Sequence, residues 1–333
     1  MQQAGVGDAV KPQVLITRQV PEAGLEMVRR ACEIHLDLRD QQLTHEAMCQ
    51  AVVGKSGIMC LSTDRIDARV LEAGGALKVV ANVAAGYDNI DVPAATQRGI
   101  LVTNTPGAVT ESTADLTWGL MLSIARRIPE GERYIRAGQW DEWRLMFMLG
   151  RDIHAQTLGI VGMGRIGQAV ARRAAGFGMR VLYHNRKRLE PTVEAELGTT
   201  WVEFSTLLRQ ADFVSLHVPL TTETRHCIGE AELRMMQPTA YLINTARGPV
   251  VDESALIRAL QQGWIAGAGL DVFEHEPHVP QTLRELDNVV MVPHIGSASV
   301  ATRDKMAVMA AQNLVAALRG ERPPHLVNPE VCG

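Results

Sequence analysis

Three ionisable residues in the last third of the chain could act together in catalysis: Arg247, Glu276 and His294. Each follows a short apolar segment and lies near glycine or proline residues that favour a loop. Separately, Arg247 could be a surface charge, Glu276 a loop acid and His294 the cap of the helix that follows. In open parallel α/β sheets, however, ligands bind beyond the carboxyl ends of the strands. Together the three positions therefore predict an active site that can transfer a proton and bind an anionic group.

A glycine-rich loop, GMGRIG, lies upstream of these residues. It follows the apolar segment LGIV and opens the helical pattern RIGQAVARRAAGF, which is the context that a dinucleotide site requires. Glycines permit a tight turn and a close approach of the backbone to a pyrophosphate, whose charge faces the helix N-terminus. The pattern predicts cofactor binding at Gly162, Gly164, Arg165, Ile166 and Gly167.

Positive charge follows the next apolar segment, where Asn185, Arg186, Lys187 and Arg188 come 18 residues after Gly167. An acid at this distance would bind the free ribose 2′-hydroxyl of NAD and repel a 2′-phosphate. Basic residues instead offer charge-assisted donors to a phosphate, each contributing about 1.5–3 kcal/mol. A solvated basic loop is the alternative interpretation. The position favours NADPH over NADH.

Short apolar segments alternate with helical patterns along two stretches of the chain. The first stretch has five strand-like segments, VLIT (14–17), IHLDL (34–38), GIMCL (57–61), LKVVANV (77–83) and ILVTNT (100–105). The second has six, LGIVGM (158–163), RVLYH (180–184), FVSLHV (213–218), YLINTA (241–246), AGAGLDVF (266–273) and VVMVPH (289–294). Such alternation predicts an α/β protein with two doubly wound parallel sheets, each covered by helices on both faces. Six strands are expected for a full dinucleotide fold.

Two long helical segments complete the prediction. The segment from Thr110 to about Arg127 is apolar on several faces, which favours a dimer contact or a position between domains. The final helix ends at Gly320 and is expected to pack on the first domain. The predicted domains are a discontinuous, flavodoxin-like substrate domain of residues 1–105 and 298–333 and a Rossmann dinucleotide domain of residues 106–297.

The bulk composition limits the function classes. With 333 residues, of which 46% are hydrophobic, the chain can bury a substantial core. A net charge of −4 argues against nucleic acid as a partner. The polar segment Met1–Val10 has no apolar signal core, and no apolar run is long enough to cross a membrane. Five scattered cysteines without C-x-x-C spacing indicate reduced thiols, so a cytoplasmic protein with neither a metal site nor a membrane partner is expected.

Four motifs resemble the D-isomer-specific 2-hydroxyacid dehydrogenase family: GIVGMGRIGQAVA, LINTARGPVVDE, AGAGLDVFEHEP and VPHIGSAS. The resemblance covers nearly the whole chain and preserves the order of the motifs. It implies that Arg247, Glu276 (the acid of the Glu-Pro pair) and His294 are catalytic, at spacings of 29 and 18 residues. It also implies the two-domain fold described above and, in most members, a dimer.

The resemblance implies reduction of a 2-oxo acid by hydride transfer. His294 as an imidazolium would protonate the carbonyl oxygen. Glu276 would hold the other ring nitrogen and favour its charged form. Arg247 would bind the substrate carboxylate and help to polarise the carbonyl.

Further site residues follow from the same resemblance. Backbone amides of the loop NVAAGYDNID would hold the substrate carboxylate, which assigns Val83, Ala84, Ala85 and Gly86 to the substrate. Asp271 would contact the nicotinamide amide, or else is a buried acid satisfied by backbone donors. The remaining residues implied beside the cofactor are His217, Pro219, Ala246 and Gly296.

Within the family the chain is most like the glyoxylate/hydroxypyruvate reductases. The basic end of the second cofactor-domain strand, the CLS segment at Cys60–Ser62 and HIGSAS support this subgroup, in which the residue matching Leu61 lines a small substrate pocket. Trp140 and Trp143 match an aromatic segment that reaches the neighbouring subunit's cleft, or else they are ordinary interface packing. The pair Ala84-Ala85 departs from many relatives and leaves the fine substrate selectivity open.

Three related classes are alternatives. Phosphoglycerate dehydrogenases share the catalytic residues, but no regulatory domain is expected after Gly320. Formate dehydrogenases have Gln where Glu276 stands. Dinucleotide-sensing transcriptional corepressors keep the catalytic residues without acting as simple enzymes, but their long disordered tails are not expected here. The motifs favour an enzyme that uses NADPH to reduce a small 2-oxo acid.

Overall fold

The computed structural model describes residues 11–36 and 40–332. The Met1–Val10 segment, in which no signal sequence is expected, lies outside the described residues, and so do Asp37 and Leu38 of the second predicted strand.

Strands and helices alternate along the described chain. The strands are β1 Gln13–Ile16, β2 Glu33–Leu36, β3 Gly57–Cys60, β4 Val79–Asn82, β5 Leu101–Thr103, β6 Thr157–Val161, β7 Arg180–His184, β8 Thr199–Trp201, β9 Phe213–Leu216, β10 Tyr241–Asn244, β11 Gly267–Leu270 and β12 Val289–Met291. The α-helices are α1 Glu22–Ala31, α2 His45–Ala51, α3 Ala68–Ala73, α4 Val92–Gln97, α5 Thr110–Ala125, α6 Ile128–Arg136, α7 Arg165–Ala174, α8 Pro191–Leu197, α9 Phe204–Gln210, α10 Glu230–Met235, α11 Glu253–Gln261, α12 Gln281–Arg284 and α13 Val300–Leu318.

The chain divides into two compact units. One contains the described residues up to Val109 together with those from Ser299 onward, and the other is Thr110–Ala298. Each unit has its own parallel sheet, which confirms the predicted fold class of two parallel-sheet α/β domains.

The first unit contains a five-stranded parallel sheet in the order β2-β1-β3-β4-β5. Its central strands β3 and β4 are buried along their whole length, as expected for a sheet covered on both faces. The C-terminal helix α13 packs against α1 and against β3, β4 and β5, as its apolar sequence predicts. A Cβ atom on Gly24 would lie 2.6 Å from the Ala307 carbonyl carbon, so glycine permits the close approach of these two helices.

The second unit contains a seven-stranded parallel sheet in the order β12-β11-β10-β9-β6-β7-β8. The expected number of six strands was therefore wrong by one. The additional strand β8 is only three residues long and pairs with β7 at the edge of the sheet. Its sequence, TTW, follows Gly198 and contains no apolar run, so the sequence pattern did not reveal it. An edge strand need not be buried on both faces and can therefore be polar.

Helix α5 begins at Thr110 as predicted and ends at Ala125. Its apolar faces are covered within its own unit, where it packs against α7 and against β10, β11 and β12. Trp118 stacks on Phe177 with ring centroids 4.5 Å apart, and its indole N–H donates to the Val170 carbonyl. Neighbours in its own unit therefore cover many of its apolar side chains, while Leu116 and Leu122 are only half-buried, and the contact with a second subunit stays a prediction.

Among the described residues, no helix is long and apolar enough to span a lipid bilayer.

Candidate active site

His294 and Glu276 form a direct pair beyond the carboxyl ends of two adjacent strands. His294 follows β12 in the left-handed region, with φ 52°, and its backbone N–H donates to the Asp271 carbonyl at 2.9 Å. Its Nδ1 atom lies 2.8 Å from Glu276 Oε2, while Glu276 Oε1 accepts the Phe273 N–H at 3.0 Å. Both carboxylate oxygens of Glu276 are thus engaged, and the imidazole orientation is fixed through Nδ1.

The charge of this pair is set by its surroundings. Burial alone would raise the pKa of Glu276, but the hydrogen bond and charge of His294, with smaller contributions from the Phe273 N–H and Arg247, hold that pKa below its usual value. The side chains of His294 and Glu276 are 36% and 27% exposed. Glu276 is therefore an ionised carboxylate that faces the imidazole of His294.

Arg247 lies in the turn after β10, and Asn244 shapes that turn. The Asn244 side chain accepts the Ala246 N–H at 3.0 Å and donates to the Arg247 carbonyl oxygen at 3.0 Å. A Cβ atom on Gly248 would lie 1.8 Å from the Phe273 carbonyl oxygen, so the Arg247 turn packs directly on the segment that leads to Glu276. The structure thus brings the three predicted catalytic residues together within one unit.

Two glutamates join the loops that carry Arg247 and Glu276. Glu253 donates its backbone N–H to Glu274 Oε2 at 3.2 Å, and Glu274 donates its own to Glu253 Oε2 at 3.3 Å. His226 Nε2 lies 2.6 Å from Glu274 Oε1. Burial raises the pKa of Glu253, with a further contribution from the Glu274 charge. This reciprocal arrangement links the start of α11, which follows the Arg247 turn, to the loop that carries Glu276.

Asp271 has both carboxylate oxygens occupied by backbone donors. Oδ1 accepts the Ile295 N–H at 2.6 Å and Oδ2 accepts the Gly296 N–H at 2.9 Å. Burial raises the pKa of Asp271, against the opposing effect of these donors and of His294. This geometry matches the second interpretation of Asp271 given above, that of a buried acid whose carboxylate is satisfied by backbone donors. Its structural effect is to fix the turn that follows His294, where Gly296 is also buried.

The glycine-rich loop leaves the N-terminus of α7 open. A Cβ atom on Gly162, whose φ is 97°, would lie 2.7 Å from the His217 carbonyl carbon, and one on Gly167 would lie 2.3 Å from the Gly162 carbonyl oxygen. By contrast, no described atom lies within 4 Å of the Cβ position on Gly164, and no side chain caps the helix. The first amides of α7, at Arg165 and Ile166, lack intrahelical partners by geometry, so the loop fits a pyrophosphate.

His217 supplies a second indication of a ligand beside this loop. Its Nε2 atom lies 2.8 Å from Ser215 Oγ, but its buried Nδ1 has no hydrogen-bond partner among the described residues. Burial lowers the pKa of His217 to about 3, so the ring is neutral. Buried polar atoms are rarely left unpaired, and this nitrogen therefore suits a ligand group. Pro219 is exposed two residues later, and Ala246 is half-buried.

The basic segment after β7 divides into residues with different partners. Asn185 Oδ1 accepts the Met163 N–H at 2.7 Å, which ties this segment to the glycine-rich loop. Arg186 and Lys187 are exposed. Arg188 instead binds Glu194 through two hydrogen bonds of 2.8 and 2.7 Å. Arg188 is thus already paired with an internal carboxylate through Nε and Nη2, and its part in a phosphate-binding cluster stays a prediction.

The predicted substrate residues lie in the other unit, after β3 and β4. The carbonyl oxygens of Ala84, Ala85 and Gly86 accept hydrogen bonds from Thr105 N–H, Asn104 Nδ2 and Asn82 Nδ2 respectively. The amides of these three residues have no acceptor in the part of the chain that the structure describes, an arrangement suited to an anion.

Two of the predicted substrate residues make backbone contacts of their own. The Val83 amide donates to the Cys60 carbonyl at 2.8 Å, so the inclusion of Val83 among the carboxylate-binding amides was wrong. Leu61 is half-buried, and its N–H donates to Asp64 Oδ2 at 2.8 Å.

Comparison with known proteins identifies the family. The model of the D-isomer specific 2-hydroxyacid dehydrogenase NAD binding domain matches residues 118–296, more than half of the chain. The chain belongs to the D-isomer specific 2-hydroxyacid dehydrogenase family. It is therefore an NAD(P)-dependent oxidoreductase, as the motifs predicted. The matched span of this family includes the glycine-rich loop, Arg247, Glu276 and His294.

Similar members of the family cover nearly the whole chain. A glyoxylate reductase of Korarchaeum cryptofilum is 54% identical over 97% of this chain and 97% of its own length. A glyoxylate reductase of Thermococcus litoralis is 51% identical over 97% of this chain and 98% of its own length. Among solved structures, the NADPH-dependent glyoxylate/hydroxypyruvate reductase of Sinorhizobium meliloti in complex with NADP and malonate is 34% identical, covers 95% of this chain and 97% of that chain, and has a TM-score of 0.83.

Several residues that shape this dehydrogenase site were not identified from the sequence. Asn244 and Asn82 each close an otherwise apolar strand and hold the following loop, at Arg247 and at Gly86. A buried amide at the end of an apolar strand is a signal that could have indicated them. The Glu253–Glu274 contact offered no such signal, because the two residues are 21 positions apart and both resemble surface acids.

Proposed function

We propose that this chain reduces glyoxylate and hydroxypyruvate to glycolate and D-glycerate, with NADPH preferred over NADH. The observation that carries the proposal is the His294–Glu276 pair, 2.8 Å apart, with the Arg247 charge acting on the same carboxylate. The names of the Korarchaeum and Thermococcus relatives support glyoxylate as a substrate, and that of the Sinorhizobium structure supports hydroxypyruvate as well.

In the proposed reaction, the cofactor held at the glycine-rich loop would supply the hydride that the carbonyl carbon of the oxo acid accepts. His294 donates a proton to the carbonyl oxygen, so that the ketone or aldehyde group becomes a hydroxyl. Because Nδ1 is held by Glu276, Nε2 is the ring nitrogen that faces the substrate. Glu276 remains an anion and stabilises the imidazolium before the transfer. Arg247 binds the carboxylate of the oxo acid through its guanidinium.

The proposal assigns the unpaired amides of Ala84, Ala85 and Gly86 to the carboxylate of the oxo acid. Three converging N–H groups suit a carboxylate because each adds a charge-assisted hydrogen bond. Leu61 then limits the size of the group attached to the carbonyl, which favours glyoxylate and hydroxypyruvate over bulkier oxo acids. The unit that contains these residues is the proposed substrate domain.

The unit with the seven-stranded sheet is the proposed cofactor domain. The open N-terminus of α7, from Gly164 to Ile166, would hold the pyrophosphate, and His217 would meet the adenosine half through its unpaired Nδ1. The NADPH preference is supported by the segment after β7, where Asn185 is neutral and Arg186 and Lys187 are exposed cations. The further residues assigned beside the cofactor are Gly162, Gly167, Pro219, Ala246, Asp271 and Gly296.

A homodimer is proposed on the basis of one exposed apolar segment, Trp140–Leu149. Trp143 is 75% exposed and Met146 is 76% exposed. Apolar side chains exposed together to this extent mark a protein interface more often than a free surface. The five cysteines are free thiols, which supports a reducing compartment such as the cytoplasm.

The reaction is tested by mixing the purified protein with NADPH and either glyoxylate or hydroxypyruvate, and by identifying the products by chiral chromatography. The expected products are glycolate and D-glycerate, with the branched 3-methyl-2-oxobutyrate as a bulkier substrate that turns over more slowly. Faster turnover of 3-methyl-2-oxobutyrate would assign a different oxo acid. No turnover, with dinucleotide binding intact, would instead support a dinucleotide-sensing binding protein.

A further inference from the structure

A buried carboxylate lies beneath the basic segment after β7. Glu194, in the short helix α8, has a side chain that is only 9% exposed. Its Oε1 atom accepts the Tyr183 hydroxyl at 2.5 Å and Arg188 Nε at 2.8 Å, while Oε2 accepts Arg188 Nη2 at 2.7 Å. One carboxylate therefore binds both the last part of β7 and the end of the basic segment.

The Tyr183 hydroxyl extends this contact to the next residue. It accepts the Leu189 N–H at 2.9 Å while it donates to Glu194. Burial and the neighbouring Glu194 raise the pKa of Tyr183 to about 12, so the phenol stays a donor. Arg188 and Tyr183 lower the pKa of Glu194 to about 2, so the carboxylate stays ionised.

The turn Asn185–Leu189 is thus fixed at both ends. At its start, Asn185 accepts the Met163 N–H through its side chain and the Trp201 indole N–H through its carbonyl oxygen. At its end, Arg188 and Leu189 are held by Glu194 and Tyr183. The two residues between these anchors, Arg186 and Lys187, are exposed and make no ion pair of 4 Å or less in the described ranges.

We infer that Tyr183 and Glu194 are positioning residues for cofactor selectivity. They hold the turn so that the cationic groups of Arg186 and Lys187 converge on the 2′-phosphate of NADPH. Ordering a turn before the ligand binds removes part of the entropy cost of binding. The inference rests on the proposed assignment of Arg186 to the 2′-phosphate. Neither Tyr183 nor Glu194 touches the cofactor, so their effect passes through the turn.

The substitution Tyr183→Phe tests the inference without changing any charge. It removes the hydroxyl that joins Leu189 to Glu194 and leaves the aromatic ring in the core. The expected result is an increase in the KM for NADPH of about fivefold, the effect of one net hydrogen bond, with the KM for NADH nearly unchanged. Tyr241→Phe is the matched control, because Tyr241 is a buried tyrosine in the same sheet and is not part of the turn. A purely structural effect would change both cofactors alike and would overturn the inference.

A double-mutant cycle separates this inference from the proposed function. If Tyr183 acts through Arg186, Tyr183→Phe should cause little further loss of NADPH affinity in an Arg186→Ala protein. Full additivity of the two effects would overturn the inference. If Arg186→Ala alone affects NADPH and NADH equally, the 2′-phosphate assignment itself fails. If Arg186→Ala is selective and Tyr183→Phe is not, only the role of Tyr183 fails.

Glu194→Gln provides a second variant in case Tyr183→Phe does not fold. It weakens the two hydrogen bonds between Glu194 and Arg188 and leaves Tyr183 in place. A lower kcat/KM for NADPH is expected, because the turn loses its anchor. A higher value would contradict the inference, since it would show that Glu194 only withholds the charge of Arg188 from the cofactor.

Discussion

His294 Nδ1 lies 2.8 Å from Glu276 Oε2, and the carboxylate that holds the ring is itself held by the Phe273 N–H at 3.0 Å. This relationship orients the imidazole and places an ionised carboxylate against it. The backbone of His294 is fixed in turn through Asp271, whose carbonyl oxygen and carboxylate bind three consecutive N–H groups, from His294 to Gly296. His294, the proposed general acid, is thus positioned by contacts at both its ring and its backbone.

Replacing His294 by alanine should remove the general acid and leave the cofactor site intact. The expected loss in kcat for glyoxylate reduction is about 10²–10⁴-fold, the usual contribution of general acid catalysis. Binding of NADPH, followed by its fluorescence, should change little. His35→Ala is the control, because His35 is an exposed histidine on the edge strand β2 of the other unit. Turnover near the wild-type rate in His294→Ala would mean that another group donates the proton.

Glu276→Gln should change the pH dependence of reduction. His294 holds the pKa of Glu276 below its usual value, so the wild-type carboxylate is ionised at neutral pH and loses its charge only in acid. The variant lacks that charge at every pH, so its kcat/KM for glyoxylate should be lower than that of the wild type at neutral pH, and the difference should shrink as the pH falls towards the lowered pKa of Glu276. The measurement is the full pH profile of both proteins at saturating NADPH. A difference that stays the same from neutral to acid pH would show that the charge of Glu276 does not contribute to the rate.

Arg186→Ala should weaken NADPH far more than NADH. Loss of one charge-assisted hydrogen bond to a phosphate corresponds to roughly a ten- to hundredfold change in affinity. Arg180→Ala is the matched control, since Arg180 is exposed at the opposite end of the same strand. Initial rates at varied cofactor concentration give both KM values. Equal losses with the two cofactors would return Arg186 to the role of a solvated surface charge.

Asn244→Ala should weaken the binding of the oxo acid. Two hydrogen bonds of 3.0 Å hold the turn that carries Arg247, and both depend on this side chain. With the turn loosened, the KM for glyoxylate should rise about tenfold while the KM for NADPH changes less. Asn288→Ala is a control in which a half-buried amide of the same unit also loses backbone contacts, to Leu260 and Ala266. A similar rise in that control would indicate a general loss of stability instead.

Acid should reduce the stability that Glu194 contributes. The pKa of Glu194 is lowered to about 2 in the folded chain, below the value of about 4.3 expected after unfolding. Its contribution is thus fully present above that higher value and is lost as the pH falls towards the lower one. The Tm difference between wild type and Glu194→Gln should therefore shrink between about pH 5 and pH 2. Glu196→Gln, on the exposed side of the same helix, should show no such trend.

The sequence predicted the parts of the fold that depend on local patterns. Apolar segments gave both parallel sheets, and glycine spacing gave the open N-terminus of α7, because both are properties of short stretches of chain. The partner of Arg188 was not predictable in this way, since Glu194 acts through the geometry of α8 and β7. The neighbours of helix α5 could not be predicted for the same reason. Its sequence indicates that several faces are apolar but not which neighbours cover them.

The most direct test of the central claim compares the two reduced cofactors with glyoxylate as the substrate. Oxidation of NADPH and NADH is followed by absorbance at equal concentrations, and kcat/KM is determined for each. The account predicts rapid oxidation of NADPH, with a kcat/KM at least about tenfold above that for NADH. A preference for NADH would contradict the role given to Arg186 and Lys187, and no turnover with either cofactor would contradict the reductase itself.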